Sequence, residues 1–265
     1  MQPRVRDFPG PPGAPVVFLL HGLGATADLN WHPSYRPLAT RYRVIAMDHR
    51  GHGGGKRSRR VFRLEDCADD VIEVADALGV RTFIPVGYSM GGPIAQLVWR
   101  QHRERVDGIV LCATAARFAS SPEARLGFMS LSGLAVASRL TPRVVQRRFV
   151  DGMITRREAT GPELWARDQM RRHDLTAVLE ASRATGQFSS TRWISGVDVP
   201  TGVVVTMRDS LVSPRQQLAL AAAISGATVH PVDADHDAAV FAADRFVPAL
   251  LEACQSVRSR VLVRG

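Results

Sequence analysis

Six short apolar runs set the rhythm of this chain: PVVFLLHG (15–22), RVIAMDH (43–49), TFIPVGY (82–88), DGIVLCAT (107–114), TGVVVTM (201–207) and ATVHPVD (227–233). Each is too short for a buried helix, and together they read as strands covered on both faces. Longer amphipathic stretches separate several of them. RLEDCADDVIEVADALG (63–79) lines Leu64, Ala68, Val71, Ala75 and Leu78 along one side. Acidic residues in its first turn and Gly79 at its end complete the pattern of a helix. GPIAQLVWRQH (92–102), SPRQQLALAAAI (213–224) and AAVFAADRFVPALLEAC (238–254) predict three more. Strands alternating with helices predict an α/β class with a mostly parallel central sheet flanked by helices. Two prolines break local rules. Pro85 removes a ladder donor from a central strand, which predicts irregular pairing there, and Pro248 predicts a bend or break in the last helix.

The rhythm stops between residues 115 and 196. SPEARLGFMSLSGLAVASRL, TPRVVQRRFV, GPELWARDQMRRH and DLTAVLEASRATGQF read as helices, several opening on a Pro dipeptide. This predicts a core of 1–114 and 197–265 with a helical cap, 115–196, inserted between two core strands. The Met, Leu and Phe residues of 126–153 would pack inside that cap, with some facing a pocket.

At 265 residues and 45% apolar, the chain has enough material for one sizeable domain. No apolar run has the length of a signal peptide or membrane span, and Cys67, Cys112 and Cys254 are too few and too scattered for a disulfide framework. The reading is a cytoplasmic protein. The formal charge of +9 raises nucleic acid as a partner. Yet Lys56 is the single lysine, the arginines are dispersed, and no nucleic-acid motif accompanies them. A solvated basic surface is the plainer reading, with no specific nucleic-acid partner and at most weak association with an anionic membrane surface.

One stretch carries the chemistry. IPVGYSMGGPIAQLVW (84–99) feeds a strand into a helix through Gly87, Tyr88, Ser89, Met90 and Gly91. A turn this sharp strains its apex residue, and side chains two positions either side would collide. Gly87 and Gly91 remove the obstacle, so the Ser89 hydroxyl stands above the sheet with a helix start behind it.

With these residues the chain resembles the α/β-hydrolase fold family, in which nucleophile, acid and histidine follow in that order. HGLG (21–24) is similar to the family's oxyanion turn, and WHPSYRPLATRYRVIAMDHRGHG (31–53) to its stretch ending in D-x-R-G-x-G. The resemblance implies Ser89 as nucleophile, Asp209 in MRDSLVSP as acid and His236 in VDADHDAAV as base. It implies the backbone N–H groups of Leu23 and Met90 as oxyanion hole. Asp233 and Asp235 remain alternatives to Asp209. His21, His49 and His52 read as structural rather than metal-binding. DADHD (233–237) lacks the glycine that a calcium loop requires, since Ala238 stands there.

Three departures stand out. The family usually has a serine where this chain has Gly55, followed by KRSRR, which predicts a mobile loop. Asp235 precedes His236 where a glycine is usual. The sequence before residue 15 is too short for a full hairpin, which predicts a reduced sheet edge.

The implied activity is hydrolysis of a small-molecule carboxylic ester, with no metal and no cofactor. The GYSMGG context is similar to monoacylglycerol lipases, and the Leu-, Val- and Met-rich insertion favours a lipophilic acyl group. Thioester, lactone, carbon–carbon bond or perhydrolase chemistry by the same residues stays open. So does a non-catalytic role as a ligand-binding relative or a basic nucleic-acid-binding protein.

Overall fold

The computed structural model describes residues 4–58, 60–119, 138, 165, 168–169 and 171–264. Its seven-stranded sheet comprises β1 (Val5–Phe8), β2 (Val16–Leu20), β3 (Arg43–Met47), β4 (Ile84–Tyr88), β5 (Ile109–Cys112), β6 (Thr201–Thr206) and β7 (Thr228–Val232). The spatial order is β1-β3-β2-β4-β5-β6-β7. All neighbours are parallel except β1 and β3, which run antiparallel with Val5 opposite Met47. The six apolar runs are thus β2 to β7. The segment before residue 15 adds a single edge strand.

Pro85 sits where a missing donor does least harm. Pairing of β4 with β2 runs unbroken through Phe18 opposite Pro85. On the other side the β5 ladder begins only at Val86 opposite Val110, preceded by an isolated bridge between Phe83 and Val106. The irregularity lies in that gap.

The described helices are α1 (Ala27–Ala39), α2 (Leu64–Ala77), α3 (Gly91–Gln101), α4 (Leu175–Gln187), α5 (Pro214–Ala223), α6 (Ala238–Phe241) and α7 (Ala243–Arg264). Strand alternation splits the core into two layers. Phe18, Leu20, Ile45 and Met47 face α2, α3 and α5, where Val71, Ile94 and Leu220 are buried. Val17, Leu19, Val44 and Ala46 face α1 and α7, against Trp31, Phe246 and Leu250. Each such apolar side chain contributes about 1.5–3 kcal/mol by leaving water. Among the described residues no helix is long and apolar enough to cross a membrane.

Two helices differ from the sequence reading. α1 was hidden by Pro33 and Pro37, which lie inside it. Thr26 caps it, its side chain accepting from the Leu29 N–H, and Trp31, Tyr35 and Leu38 bury its inner side. The C-terminal break falls at Ala242 (φ −130°), between α6 and α7, and not at Pro248. Pro248 lies in the second turn of α7, where only one main-chain bond is lost and packing against the sheet outweighs it. Within the stretch between β5 and β6, α4 occupies the last expected helix. Of the three helical segments expected before it, 121–140 and 141–150 lie outside the described residues apart from Ser138, as do the Met, Leu and Phe residues of 126–153. In 161–173, residues 165, 168–169 and 171–173 are described, and 165, 168, 169 and 171 are helical.

The loop after β3 is tied down rather than loose. Asp48 accepts from the Ala27 and Gly54 N–H groups, both at 2.8 Å. Arg50 forks onto Asp70 and reaches Asp66, while Lys56 bonds Asp70 and Glu73. Gly55 is required by contact: a Cβ there would lie 2.0 Å from the His49 carbonyl oxygen. Gly55→Ser, which would install the usual serine, is therefore expected to destabilise the fold by about 2 kcal/mol, as overpacking does. Urea unfolding measures this, and an unchanged midpoint would refute the crowding at residue 55.

Candidate active site

Ser89 adopts φ +52° at the junction of β4 and α3, a left-handed backbone that costs a serine energy. The close approach that enforces it is visible at both glycines. A Cβ on Gly87 would sit 2.2 Å from the Gly91 carbonyl oxygen, and one on Gly91 would sit 2.1 Å from the Leu20 carbonyl oxygen. The Ser89 N–H donates to the Cys112 carbonyl at 2.9 Å, and the Thr114 hydroxyl donates to the Ser89 carbonyl at 2.8 Å. Met90 follows as the N-cap residue of α3, at the end whose N–H groups have no partner inside the helix.

The Ser89 hydroxyl lies 2.9 Å from His236 Nε2, and His236 Nδ1 lies 2.8 Å from Asp209 Oδ2. A carboxylate only accepts, so Nδ1 carries the ring proton and Nε2 is free to accept from the hydroxyl. Asp209 follows β6 and is buried. Its Oδ2 also accepts from the Thr206 hydroxyl and the Gln217 amide, and its Oδ1 from the Leu211 and Val212 N–H groups. Burial pushes this carboxyl up, but the hydrogen bonds from His236, Thr206 and Val212 outweigh burial and hold it below the ordinary carboxylate range.

Asp233 and Asp235 do other work. Asp233 is exposed and paired with Arg208. Asp235 accepts from the Ser210 N–H at 2.8 Å, the Ser210 hydroxyl at 3.0 Å and the His236 main-chain N–H at 2.7 Å. It therefore clamps the loop bearing Asp209 to the loop bearing His236, which a glycine before the histidine could not do. Tyr88 fixes the same loop by donating its hydroxyl to the His236 carbonyl at 2.6 Å.

Above Ser89 opens a cavity of about 380 Å³ lined by Gly22, Leu23, Leu29, Leu211, Ala239 and Val240 among others. The volume suits a small molecule. Among the described residues of its lining the fixed charges are Asp235 and Asp237. Opposite Ser89 the turn Gly22–Ala25 is closed by the Ala25 N–H on the Gly22 carbonyl, and Asn30 Oδ1 accepts the Gly22 N–H at 2.9 Å. Gly24, at φ +67°, takes the left-handed position of that turn. Leu23 sits within it, beside Ser89 in the cavity wall. Asn30, Thr206 and Gln217 are supporting residues that sequence reasoning missed, and Asp235, read there as an alternative acid, supports the loops instead, because none of these hydrogen bonds leaves a sequence pattern.

A family described as the alpha/beta hydrolase fold matches residues 15–243. Several curated relatives are matched over only part of their length, 30% in the case of epoxide hydrolase B from Mycobacterium tuberculosis, 33% identical over 40% of this chain. A poly(3-hydroxyalkanoate) depolymerase from Ectopseudomonas oleovorans is 26% identical over 98% of this chain and 91% of its own. Among solved structures, an enol-lactonase from Burkholderia xenovorans LB400 superposes with a TM-score of 0.78 at 25% identity, covering 96% of both chains.

Beneath the Gly22–Ala25 turn lie three fully buried imidazoles. His21 Nδ1 donates to the Gly22 carbonyl at 2.7 Å and its Nε2 accepts from the His49 main-chain N–H at 2.9 Å. Its ring centroid lies 4.3 Å from that of His49 and 5.3 Å from that of His52, tilted against both. Among the described residues no group of three or more His, Cys, Asp or Glu is arranged to hold a metal ion. Burial pushes His21 down to about 3 and carries His49 and His52 in the same direction, so all three are neutral in the native protein. Unfolded histidines bind protons below about pH 6.5, and the native ones do not, so stability must fall as pH drops below that value. Each fully buried ring is expected to remove about 2 kcal/mol between pH 6.5 and 5. Urea unfolding at a series of pH values measures the slope; a flat profile would mean these rings are already charged in the fold.

Proposed function

Because the chain belongs to the α/β-hydrolase fold family, we propose that it is a serine hydrolase that cleaves a carboxylic ester. The observation that carries this reading is the unbroken relay from Ser89 Oγ through His236 to Asp209, opening on a cavity beside the Gly22–Ala25 turn. His236 takes the Ser89 proton as the oxygen attacks the acyl carbon. The N–H groups of Leu23 and Met90 hold the developing oxyanion, each such donor lowering the barrier by about 3 kcal/mol. His236 then gives the proton to the departing alcohol. Water, activated by the same imidazole, releases the acid and restores Ser89. Asp209 keeps Nδ1 protonated and stabilises the imidazolium that forms in each half-reaction. The chemistry uses only these residues and water.

Ester cleavage is favoured by two of the similar proteins, the poly(3-hydroxyalkanoate) depolymerase and the enol-lactonase, both named for substrates joined through ester bonds. The serine at the elbow itself supports acyl transfer, since the hydroxyl becomes a nucleophile only with the base that lies against it. Leu23, Leu29, Leu211 and Val240 support a lipophilic acyl group, and residues 115–196 would form the cap that closes over it. Lactone opening is the second reading, favoured by the extent of the structural match to the lactonase.

Ser89→Ala is expected to lower kcat by about 10⁶-fold and to abolish labelling by a fluorophosphonate probe, with the fold intact. Asp209→Asn should cost about 10⁴-fold by inverting the His236 tautomer. Retention of a tenth of wild-type activity in either variant would reassign the residue. Activity on nitrophenyl esters should peak at medium acyl length. A preference for acetate alone would reject the lipophilic pocket, and faster turnover of lactones than of any open-chain ester would establish the second reading.

A further inference from the structure

His173 was not singled out in the sequence, yet it makes two hydrogen bonds that bear on the site from outside the core. It lies just before α4, in the stretch between β5 and β6. Its Nε2 is 3.0 Å from the Gly24 carbonyl oxygen, and its Nδ1 is 2.9 Å from the Gly53 nitrogen. A carbonyl accepts and an N–H donates, so the ring is a neutral imidazole with its proton on Nε2. Burial pushes its protonation down and Arg57 adds to this, against the Gly24 bond and Asp48, so the neutral form is the native one.

Of the two loops it joins, one lies in the cavity wall beside Ser89 and the other is tied to the core. Gly24 belongs to the Gly22–Ala25 turn that carries Leu23, and Gly53 to the loop anchored by Asp48. The near side of the turn is held by Asn30 through the Gly22 N–H. On the side where a Cβ of Gly24 would project the space is open, with nothing within 4 Å. His173 supplies the hold at the Gly24 carbonyl. Its own segment is seated firmly. The Asp174 N–H donates to the Gly51 carbonyl at 2.8 Å, a Cβ on Gly51 would lie 2.2 Å from the Ala177 Cβ, and Gln169 approaches Thr26 at 3.5 Å.

We propose that His173 is a positioning residue for the oxyanion turn, its Nε2–H fixing the Gly24 carbonyl so that the Leu23 N–H stays aimed at the acyl oxygen. The inference rests on the proposed ester chemistry for its kinetic consequence and on geometry alone for the position of the turn. It also means that the seating of residues 173–177 on the core sets one side of the oxyanion hole.

Two conservative variants separate the two bonds. In His173→Gln the amide nitrogen reaches the Nε2 position and can donate to Gly24. In His173→Asn the amide oxygen reaches the Nδ1 position and can accept from Gly53 but cannot reach Gly24. His173→Ala and His173→Asn are expected to lower kcat on a nitrophenyl ester by about 10²-fold at nearly unchanged KM, the size of effect that a misplacement of about 1 Å produces. His173→Gln should recover most of that loss. Equal losses in the Gln and Asn variants, rescue by Asn instead of Gln, or full activity in all three would each overturn the proposal. Hydrogen exchange at the Ala25 amide provides a readout that needs no substrate. Protection should persist in His173→Gln and fall in His173→Asn, and the reverse or no difference would also overturn the positioning role. A wild type that turns over no ester but shows this exchange pattern would sink the ester reading while leaving the hold on the turn intact.

Discussion

The crossing of β4, α3 and β2 is the constraint from which the rest of the molecule follows. Three stretches of main chain meet so closely that the Cβ of any residue at 87 or 91 would overlap a carbonyl. That crowding leaves the chain one route between strand and helix, through a left-handed Ser89. The strain is of order 1–3 kcal/mol and is held in place by bonds from Ser89 to Cys112 and Thr114 on the neighbouring strand end. A hydroxyl placed this way has little freedom, and the start of α3 lies directly behind it. Geometry therefore comes before chemistry: the sheet aims the serine, and the loops at the C-terminal ends of β6 and β7 bring the other two side chains to it.

Those loops are held by a network whose parts are unequal. Asp209 receives two main-chain and three side-chain donors, so it can stay ionised although buried. A buried carboxylate with fewer donors would sooner take up a proton. Asp235 is exposed and serves a different end, since its contacts are to Ser210 and the main chain of His236. One acid tunes the imidazole and the other fixes where it stands. Asp235 adjoins His236 in sequence while Asp209 lies 27 residues before it, so nearness in sequence did not tell which acid meets the ring.

Much of the core was legible because its signals are local. The six apolar runs mark strands, the flanking glycines of Ser89 mark a close crossing, and the positions of Asp209 and His236 after the later strands came from a resemblance carried by adjacent motifs. What stayed hidden depends on contacts across the chain. α1 was concealed by Pro33 and Pro37, whose effect on a helix is outweighed here by the Thr26 cap and by burial of Trp31 and Leu38. The break before α7 falls at Ala242, a residue with no breaking tendency, while Pro248, which has one, is tolerated near a helix start. The loop of Gly55 looked loose by composition, yet its glycine answers a clash with His49 that no local pattern reveals. His173 gave no signal at all, because both of its partners are main-chain groups more than a hundred residues away.

The distribution of charge completes the physical picture. Part of the formal charge of +9 is taken up locally, since Arg50 and Lys56 pair with acids of α2. At the site the balance reverses: the imidazoles beneath the Gly22–Ala25 turn are neutral, and the described fixed charges of the cavity wall are carboxylates. With these rings neutral, the described carboxylates that face His236 are Asp209 and Asp235. The burial that makes those rings neutral thus leaves these acids to answer the imidazole's charge in the relay that the strained serine begins.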